Sequence, residues 1–536
     1  MQLIENTSDN KLRGAYYTPE AIASFILKWG ISGCMTNNIL EPSCGDGVFL
    51  RQILYEKIPY KSITAIEIDS FEAKRVSEIQ LNKKKIINTD FYNYCNNSND
   101  KYDLIIGNPP YIRYQYLNNN QHELAKNIYK KANLEYTKLS NSWVSFVVGS
   151  CLLLEDKGKL GFVIPAELLQ VSYASGLRKY LSRIFNKINI ISFKKLVFPS
   201  IQQEIILLLC EKNGTDYHYI EHIELNDATD LENLDIIKLK SNGKKIDIIN
   251  NKWTYYFLEQ KEIDFLENIA KEKEICNIGH FADIEVGITT GANNYFTVRK
   301  SIVSEYNLQN FAKPMVGRSV QVPSAIFTKE DWKLNQNQET RSNLLVFPPR
   351  KRLNKHKGAL QYIKFGEKEG INNGYKTGIR EDWFVIPSIK ISDAFFIRRN
   401  NTYPRLILNN ASAYTTDTMH RVFIHTDVNK YAFISSYYNS LSFAFSEIVG
   451  RSYGGGVLEL MPSETGKILL PYHKKNKNYI DEIDSMLRKK ISIDQILEMT
   501  NKIFLAENIG FSNLEIKMAT NIWKKLSHRR LNRNRK

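Results

Sequence analysis

Through the first two fifths of the chain, apolar residues come in short unbroken blocks separated by longer stretches of a different rhythm. Seven blocks, "NIL", "ITAIEI", "KII", "DLIIG", "KLGFVI", "INIISF" and "EIILLLC", hold Ile, Leu and Val in runs rather than in alternation. Such runs mark strands buried on both faces. Between blocks, apolar positions recur every three or four residues, which predicts helices over 19–30, 46–56, 70–80, 142–155 and 166–185. Alternation of this kind from residue 14 to about 210 predicts an α/β fold: a seven-stranded, mainly parallel, Rossmann-like sheet with helices on both faces. Ligands of such sheets sit at the carboxyl ends of the strands. Ser43, Glu67, Asp90 and Asn108 each fall at the end of a block or just after one, placing four polar residues along one rim.

Beyond residue 210 the rhythm changes. Residues 214–251 are polar and irregular and read as a linker or small excursion. Short aromatic segments and turn-rich loops follow, among them "VGITTGANNYFTV" (286–298), "VFPPRKRLNKHKG" (346–358) and "GRSYGGGVLELMP" (450–462). Helical periodicity returns from residue 479 and ends in the basic "IWKKLSHRRLNRNRK". The expected organisation is a first domain over 1–240, a mixed α+β domain over 250–480 and a basic helical segment over 481–536 that belongs with the second domain. A chain of 536 residues is too long for one core, which agrees.

Composition narrows the class. Hydrophobic content of 43% and charged content of 24% are those of a soluble globular protein. The first residues have no apolar core, so no signal peptide is expected. The apolar run 142–154 is too short to span a bilayer. Six cysteines, at 34, 44, 95, 151, 210 and 276, contain no CxxC pair, which points to reduced thiols in a cytoplasm and away from disulfides or structural zinc. The net charge of +16 is lopsided: residues 1–240 hold 28 Lys and Arg against 27 Asp and Glu, and the rest hold 45 against 30. A basic half beside a neutral half suits a polyanion partner for one part and different work for the other; a Lys-rich solvated surface is the plainer alternative.

"NILEPSCGDGVF" (38–49) reads as strand, tight glycine turn and helix. Gly45 and Gly47 let a ligand approach the backbone, although the glycines alone would also suit a plain turn. It is not a dinucleotide fingerprint: Leu50 takes the third glycine position, and Glu41 would repel a pyrophosphate. Glu67, twenty residues after Gly47, can accept both hydroxyls of a ribose, while Asp69 reads as the cap of the helix from Ser70. Asp90 can accept from an exocyclic amine and Phe91 can cover a purine. The set fits a nucleoside with a cationic or amino-acid tail better than one carrying phosphates.

In order and spacing, 41–49, Glu67, Asp90 with Phe91, and "NPPY" (108–111) resemble the S-adenosylmethionine-dependent amino-methyltransferases. They are most similar to the DNA adenine-N6 methyltransferases of restriction–modification systems in the gamma order, with cofactor motifs, catalytic motif and then recognition domain. "GAYYTP" (14–19) is similar to the N-terminal cofactor motif of that family, with Thr18 at the methionine end. The resemblance implies S-adenosylmethionine as cofactor, S-adenosylhomocysteine as product and no metal. It assigns Tyr17, Thr18, Glu41, Pro42, Ser43, Gly45, Gly47, Glu67, Ile68, Asp90, Phe91, Asn108 and Pro110 to the cofactor. It also implies double-stranded DNA as partner, with a cognate restriction endonuclease able to act on the same site without a stable complex. A single flipped base requires only a monomer.

The corner at 108–111 then has a chemical reading. An exocyclic amine is a poor nucleophile because its lone pair is delocalised into the ring. Two oxygens accepting from its hydrogens favour a tetrahedral nitrogen and stabilise the charge that develops on it. The Asn108 side-chain oxygen and the Pro109 carbonyl can be these acceptors. Pro109 and Pro110 fix φ and remove donors, and Tyr111 offers a flat face to a base flipped from the duplex. The resemblance places a second stacking ring at Phe198; Phe193 or Tyr114 could serve, and a core role for Phe198 is equally open. Readers of DNA phosphate are expected in the basic loops, at Arg350, Lys351, Arg352 and Lys355 and at Arg398 and Arg399. Alternatives to an adenine-N6 enzyme are methylation of an RNA base, cytosine N4 or protein glutamine, and an inactive DNA-binding specificity subunit. No PD…(D/E)xK nuclease triad is present in the sequence.

Overall fold

The seven apolar blocks form seven strands of a nine-stranded sheet: β1 (Asn38–Glu41), β2 (Ser62–Glu67), β3 (Lys84–Asn88), β4 (Tyr102–Gly107), β5 (Leu154–Pro165), β6 (Lys187–Phe193) and β7 (Ile205–Glu211), joined by β8 (Tyr219–Leu225) and the two-residue β9 (Lys244–Lys245). The structure is a computed structural model, and the residues it describes are 18–33, 37–138, 140–198, 204–212, 218–235, 243–245, 252–453 and 455–532. The strand order is β3-β2-β1-β4-β5-β7-β6-β8-β9. β7 runs antiparallel to both β5 and β6, and β8 returns parallel to β6. The seven expected strands are present, and β8 and β9 extend the sheet past β6. In "YIEHIEL" the apolar residues are interrupted by Glu221, His222 and Glu224 and only Ile220 is fully buried, as suits a strand near the edge.

Helices α1 (Glu20–Ile31), α2 (Val48–Tyr55), α3 (Ser70–Ser77), α4 (Phe91–Asn97), α5 (Asn119–Lys131), α6 (Ser142–Leu152) and α7 (Ser175–Ile184) complete this part. Ile22 and Trp29 of α1, Phe49 and Ile53 of α2, Ile39 of β1, and Leu104 and Ile106 of β4 share one buried cluster. Ile105, equally buried, faces the other side by the two-residue period of a strand. In α6 every residue from Ser142 to Cys151 is buried, so its sequence carries no amphipathic stripe.

Two helix expectations change. Instead of one helix over 166–185 there are two one-turn pieces, Ala166–Leu169 and Ser172–Ala174, before α7. The buried Arg178 guanidinium takes the carbonyls of Leu168 (2.7 Å) and Val171 (3.0 Å), which a continuous helix would have used itself. The helix expected over 142–155 stops at Leu152, and Leu154 already pairs with Tyr102 as part of β5. Cys34 and Tyr17 lie outside the described residues, as do 214–217, 236–242 and 246–251 of the expected linker, whose described part carries β8 and β9 rather than irregular chain alone.

The chain divides into two compact units, one running to residue 260 with a small piece at 453–455 and the last residues, the other spanning 261–452 and 456–531. The second unit is α+β. One of its sheets has the strand order Ala282–Val286, Met419–Ile424, Ala394–Ile397, Leu406–Asn409, Ile326–Phe327; another has Thr297–Val298, Asn343–Leu345, Ala312–Val316, Tyr414–Thr415. Helices Ile480–Arg488 and Asn513–Leu531 are built into it. Arg488 bridges Asp484 (2.7 Å) and Asp331 (2.8 Å), and Asp484 accepts the Ile326 N–H (2.7 Å). Among the described residues no helix is long and apolar enough to cross a membrane.

Candidate active site

Strand order reverses between β1 and β4, and the loops leaving these neighbours diverge to open a crevice. From β1 leaves the loop 42–47. Gly45 (φ 49°) and Gly47 (φ 78°) occupy the left-handed region, where only glycine is unstrained. A Cβ on Gly47 would lie 2.9 Å from Val76 Cγ2, whereas one on Gly45 would project into open space. Gly45 therefore keeps a backbone face clear for a ligand, and Gly47 permits close packing of α2 on α3. Glu67, at the end of β2, accepts from Gly45 N–H with one oxygen (2.8 Å) and from Asp69 N–H with the other (2.9 Å). It ties the glycine turn to the next strand and keeps a lone pair on each oxygen for a ligand. Asp69 caps α3, as its position predicted, accepting from Phe71 and Glu72.

Glu41 is 2% exposed, and its Oε2 has no hydrogen-bond partner. Burial pushes its carboxyl well above the ordinary carboxylate range; the charges of Asp46 and Glu67 add to the rise and the Arg51 guanidinium opposes it. Arg51 is held by Asp46 (2.6 Å). Asp90 caps α4 through Tyr92 N–H (2.7 Å), and its second oxygen accepts from Gln121 (3.1 Å) on α5. Phe91 is buried and stacks on Phe146 of α6, with centroids 4.8 Å apart and an interplanar angle of 25°.

From β4 leaves the corner 108–111. The Tyr111 hydroxyl lies 2.7 Å from Asn108 Oδ1 and 3.1 Å from the Val163 carbonyl; its single hydrogen serves one at a time. The Asn108 carbonyl is met by Ser43 Oγ at 3.4 Å. Ser142, the first residue of α6 and 2% exposed, grips the downstream limb of the corner. Its hydroxyl donates to the Pro110 carbonyl and accepts from Ile112 N–H (2.9 Å), while its own N–H donates to the Ile112 carbonyl (2.9 Å). With two prolines removing donors, one serine satisfies three backbone groups and seats the corner on the start of a buried helix.

These parts enclose a cavity of about 780 Å³. Thr18, Glu41, Pro42, Ser43, Gly45, Glu67, Ile68, Asp90, Phe91, Asn108 and Pro110 line it, so most of the residues expected to hold a cofactor share one wall. Gly47 stands behind the turn, and Tyr17 lies outside the described residues. Glu41, Asp46, Glu67, Asp69, Glu72 and Asp90 bring six carboxyl groups to the described lining and no Lys or Arg, which fits a cationic ligand. Pro109 and Tyr111 are not on this wall; Pro109 is buried and Tyr111 is half-buried against the core. Phe198 (6% exposed) and Phe193 (3%) lie in that core, whereas Tyr114 is exposed in the turn Tyr114–Tyr116. To stack on a base, Phe198 would first have to leave the core. Residues not anticipated from sequence are Ser142, Gln121 and Phe146; only Gln121 had a local signal, as the reciprocal partner of the Asn118 cap on α5.

Comparison with known proteins identifies the family. Residues 46–198 match the Eco57I restriction-modification methylase family, and residues 250–505 match the C-terminal domain of the type II methyltransferase M.Eco57I. The chain belongs to the methyltransferases of restriction–modification systems. The type II methyltransferase M.AccI of Acinetobacter calcoaceticus is 27% identical over 500 residues, covering 88% of each chain. M.HincII of Haemophilus influenzae is 32% identical over 235 residues, 42% of each chain. Among solved structures, the type IIL restriction-modification enzyme MmeI in complex with DNA superposes over 98% of this chain and 80% of its own, with a TM-score of 0.60 at 11% identity; that likeness concerns the fold.

In the second unit of this methyltransferase the basic loops are less free than their sequence suggests. Arg350 pairs with Glu367 (2.7 Å) and lies over the Phe384 ring. Arg398 and Arg399 share one oxygen of the buried Glu459, each at 3.0 Å. Lys351, Arg352 and Lys355 are exposed.

Proposed function

We propose that this methyltransferase acts in the adenine-N6 class, methylating an adenine flipped out of double-stranded DNA. The observation that carries the reading is the continuity of one cavity from the carboxylate wall at Glu41, Glu67 and Asp90 to the corner at Asn108 and Pro110. S-adenosylmethionine, when bound, supplies a methyl group on a sulfonium sulfur, and its size suits the space. Glu67 would accept from ribose hydroxyls. Asp90 and Gln121 would meet the adenine edge, with Phe91 and Ile68 beside its faces. Glu41, Ser43 and Thr18 would hold the methionine portion, and Glu41 gives up its proton to meet positive charge.

At the corner, Asn108 Oδ1 has two lone pairs and can accept from the target amine while the Tyr111 hydroxyl holds the amide in orientation. The Pro109 carbonyl is the second acceptor. Together they favour the tetrahedral nitrogen, whose lone pair forms the new N–C bond as the S–C bond breaks. The product ammonium then loses its proton to solvent, so no strong base is needed. Tyr111 offers its ring to the flipped base. The duplex is proposed to bind through the basic second unit, and methylation to protect the site from a cognate endonuclease. Sequencing genomic DNA from cells expressing the chain tests this: N6-methyladenine at one recurring site is expected, and methylcytosine or unmodified DNA would overturn it.

A further inference from the structure

A second large concavity lies wholly within the 261–452 and 456–531 unit. It holds about 660 Å³ and is lined by Asn293, Asn294, Arg299, Arg318, Gln321 and Arg341, among others. It sits at one end of the four-stranded sheet. Arg299 directly follows Val298, Arg318 follows the strand ending at Val316, and Arg341 precedes the strand beginning at Asn343; the antiparallel and parallel registers bring these ends together. The loops carrying them are stiffened from beneath. Gln321, 7% exposed, accepts from the N–H groups of Gly317 (2.7 Å) and Arg318 (2.8 Å) and donates to Thr340 Oγ1 (3.0 Å). Thr418 Oγ1 donates to the Gly317 carbonyl (2.9 Å).

The three guanidinium groups are on exposed residues, and none makes an ion pair among the described residues. Arg341 bonds the Asn294 amide, and the nearby Glu339 is occupied by Ser301 (2.8 Å). Val320, 85% exposed, stands on the same rim. Arg and Asn side chains match the hydrogen-bonding edges of purines in the major groove, and an apolar side chain matches a thymine methyl. The basic loops named from the sequence differ, since their arginines at 350, 398 and 399 are already paired with carboxylates.

We propose that this concavity is the surface that reads base edges of the duplex, with Arg299, Arg318 and Arg341 as the specificity-determining cations. The assignment rests on duplex DNA being the substrate. Its test uses two short labelled duplexes of equal length, one carrying the site found by sequencing methylated DNA and one without it, with binding followed by fluorescence anisotropy over a range of salt. Arg318→Ala and Arg341→Ala are expected to weaken binding to the site duplex about ten- to a hundred-fold and binding to the other duplex much less. Arg318→Lys and Arg341→Lys, which keep the charge but lose the planar fork, should also lose preference for the site while keeping the salt dependence. Cofactor affinity and thermal unfolding should stay as in the parent, since these side chains are exposed and distant in sequence from the cavity of the first unit. A triple Ala variant that binds both duplexes like the parent, or weakens both equally, would overturn the assignment. If the parent itself leaves DNA unmethylated and binds neither duplex, the functional proposal fails and this assignment falls with it, whereas loss of site preference confined to the variants, or its absence from them, judges the reading surface alone.

Discussion

Replacing Ser142 with Ala probes the seat of the corner directly. The change removes the bond from Ile112 N–H (2.9 Å) and the one donated to the Pro110 carbonyl, and leaves the backbone N–H of residue 142 still bonded to Ile112. Two neutral bonds contribute about 1 kcal/mol each, and the half-buried groups left behind can partly recover water, so the loss is about 2 kcal/mol. If those bonds also hold the geometry used in methyl transfer, the same 2 kcal/mol appears in the barrier and slows the step about thirty-fold. Urea unfolding reads the first quantity, and single-turnover methylation at saturating cofactor reads the second. Cofactor affinity should move little, because the carboxylate wall is untouched. Ser142→Thr keeps the hydroxyl and should recover most of the rate, though its extra methyl at a 2% exposed position will cost stability. A variant that is destabilised by about 2 kcal/mol yet transfers methyl at the parental rate would refute the reasoning.

Glu41→Gln tests the carboxylate wall. A carboxyl held above its ordinary range binds its proton more tightly in the folded state, so stability falls as pH rises from the unfolded pKa through the raised folded one. The Gln variant lacks this loss, so its stability relative to the parent should grow from pH 5 to pH 8 in urea unfolding without cofactor; a constant difference would contradict it. Calorimetry in buffers of different ionisation heat should find proton release when the parent binds S-adenosylmethionine, and none with Gln at 41. In the second unit, Arg530→Met strands the buried Glu447, whose partner lies at 2.7 Å, and should cost about 3–5 kcal/mol in urea unfolding. Adding Glu447→Leu should restore much of that, and a single-variant cost below about 1 kcal/mol would argue that the pair is solvated in solution.

Much of the first unit was legible because its signals are local. Unbroken Ile and Leu blocks mark buried strands, and because β1 to β4 run parallel, the polar residues at or just after their ends land on one rim. The position of Glu67 was readable for the same reason, but its two bonds to the backbone at 45 and 69 were not. Ser142 was invisible because a serine opening a helix reads as ordinary, and its partners Pro110 and Ile112 lie some thirty residues earlier. The break before α7 depends on Arg178 capturing carbonyls from an earlier turn, which no periodicity records. Phe198 has the same apolar pattern whether it faces a base or a core. In the second unit, Arg350 stands in a conspicuous basic run whose pairing with Glu367 is tertiary, while Arg299, Arg318 and Arg341 meet only because three strand ends do.

The most direct measurement is to incubate duplex DNA with S-adenosylmethionine labelled in its methyl group, digest the product and identify the labelled nucleoside, using the parent and Asn108→Ala side by side. Label in N6-methyladenine with the parent, and none with the variant although it still binds DNA, is the predicted result. Label in cytosine, or undiminished adenine label from the variant, would contradict the account.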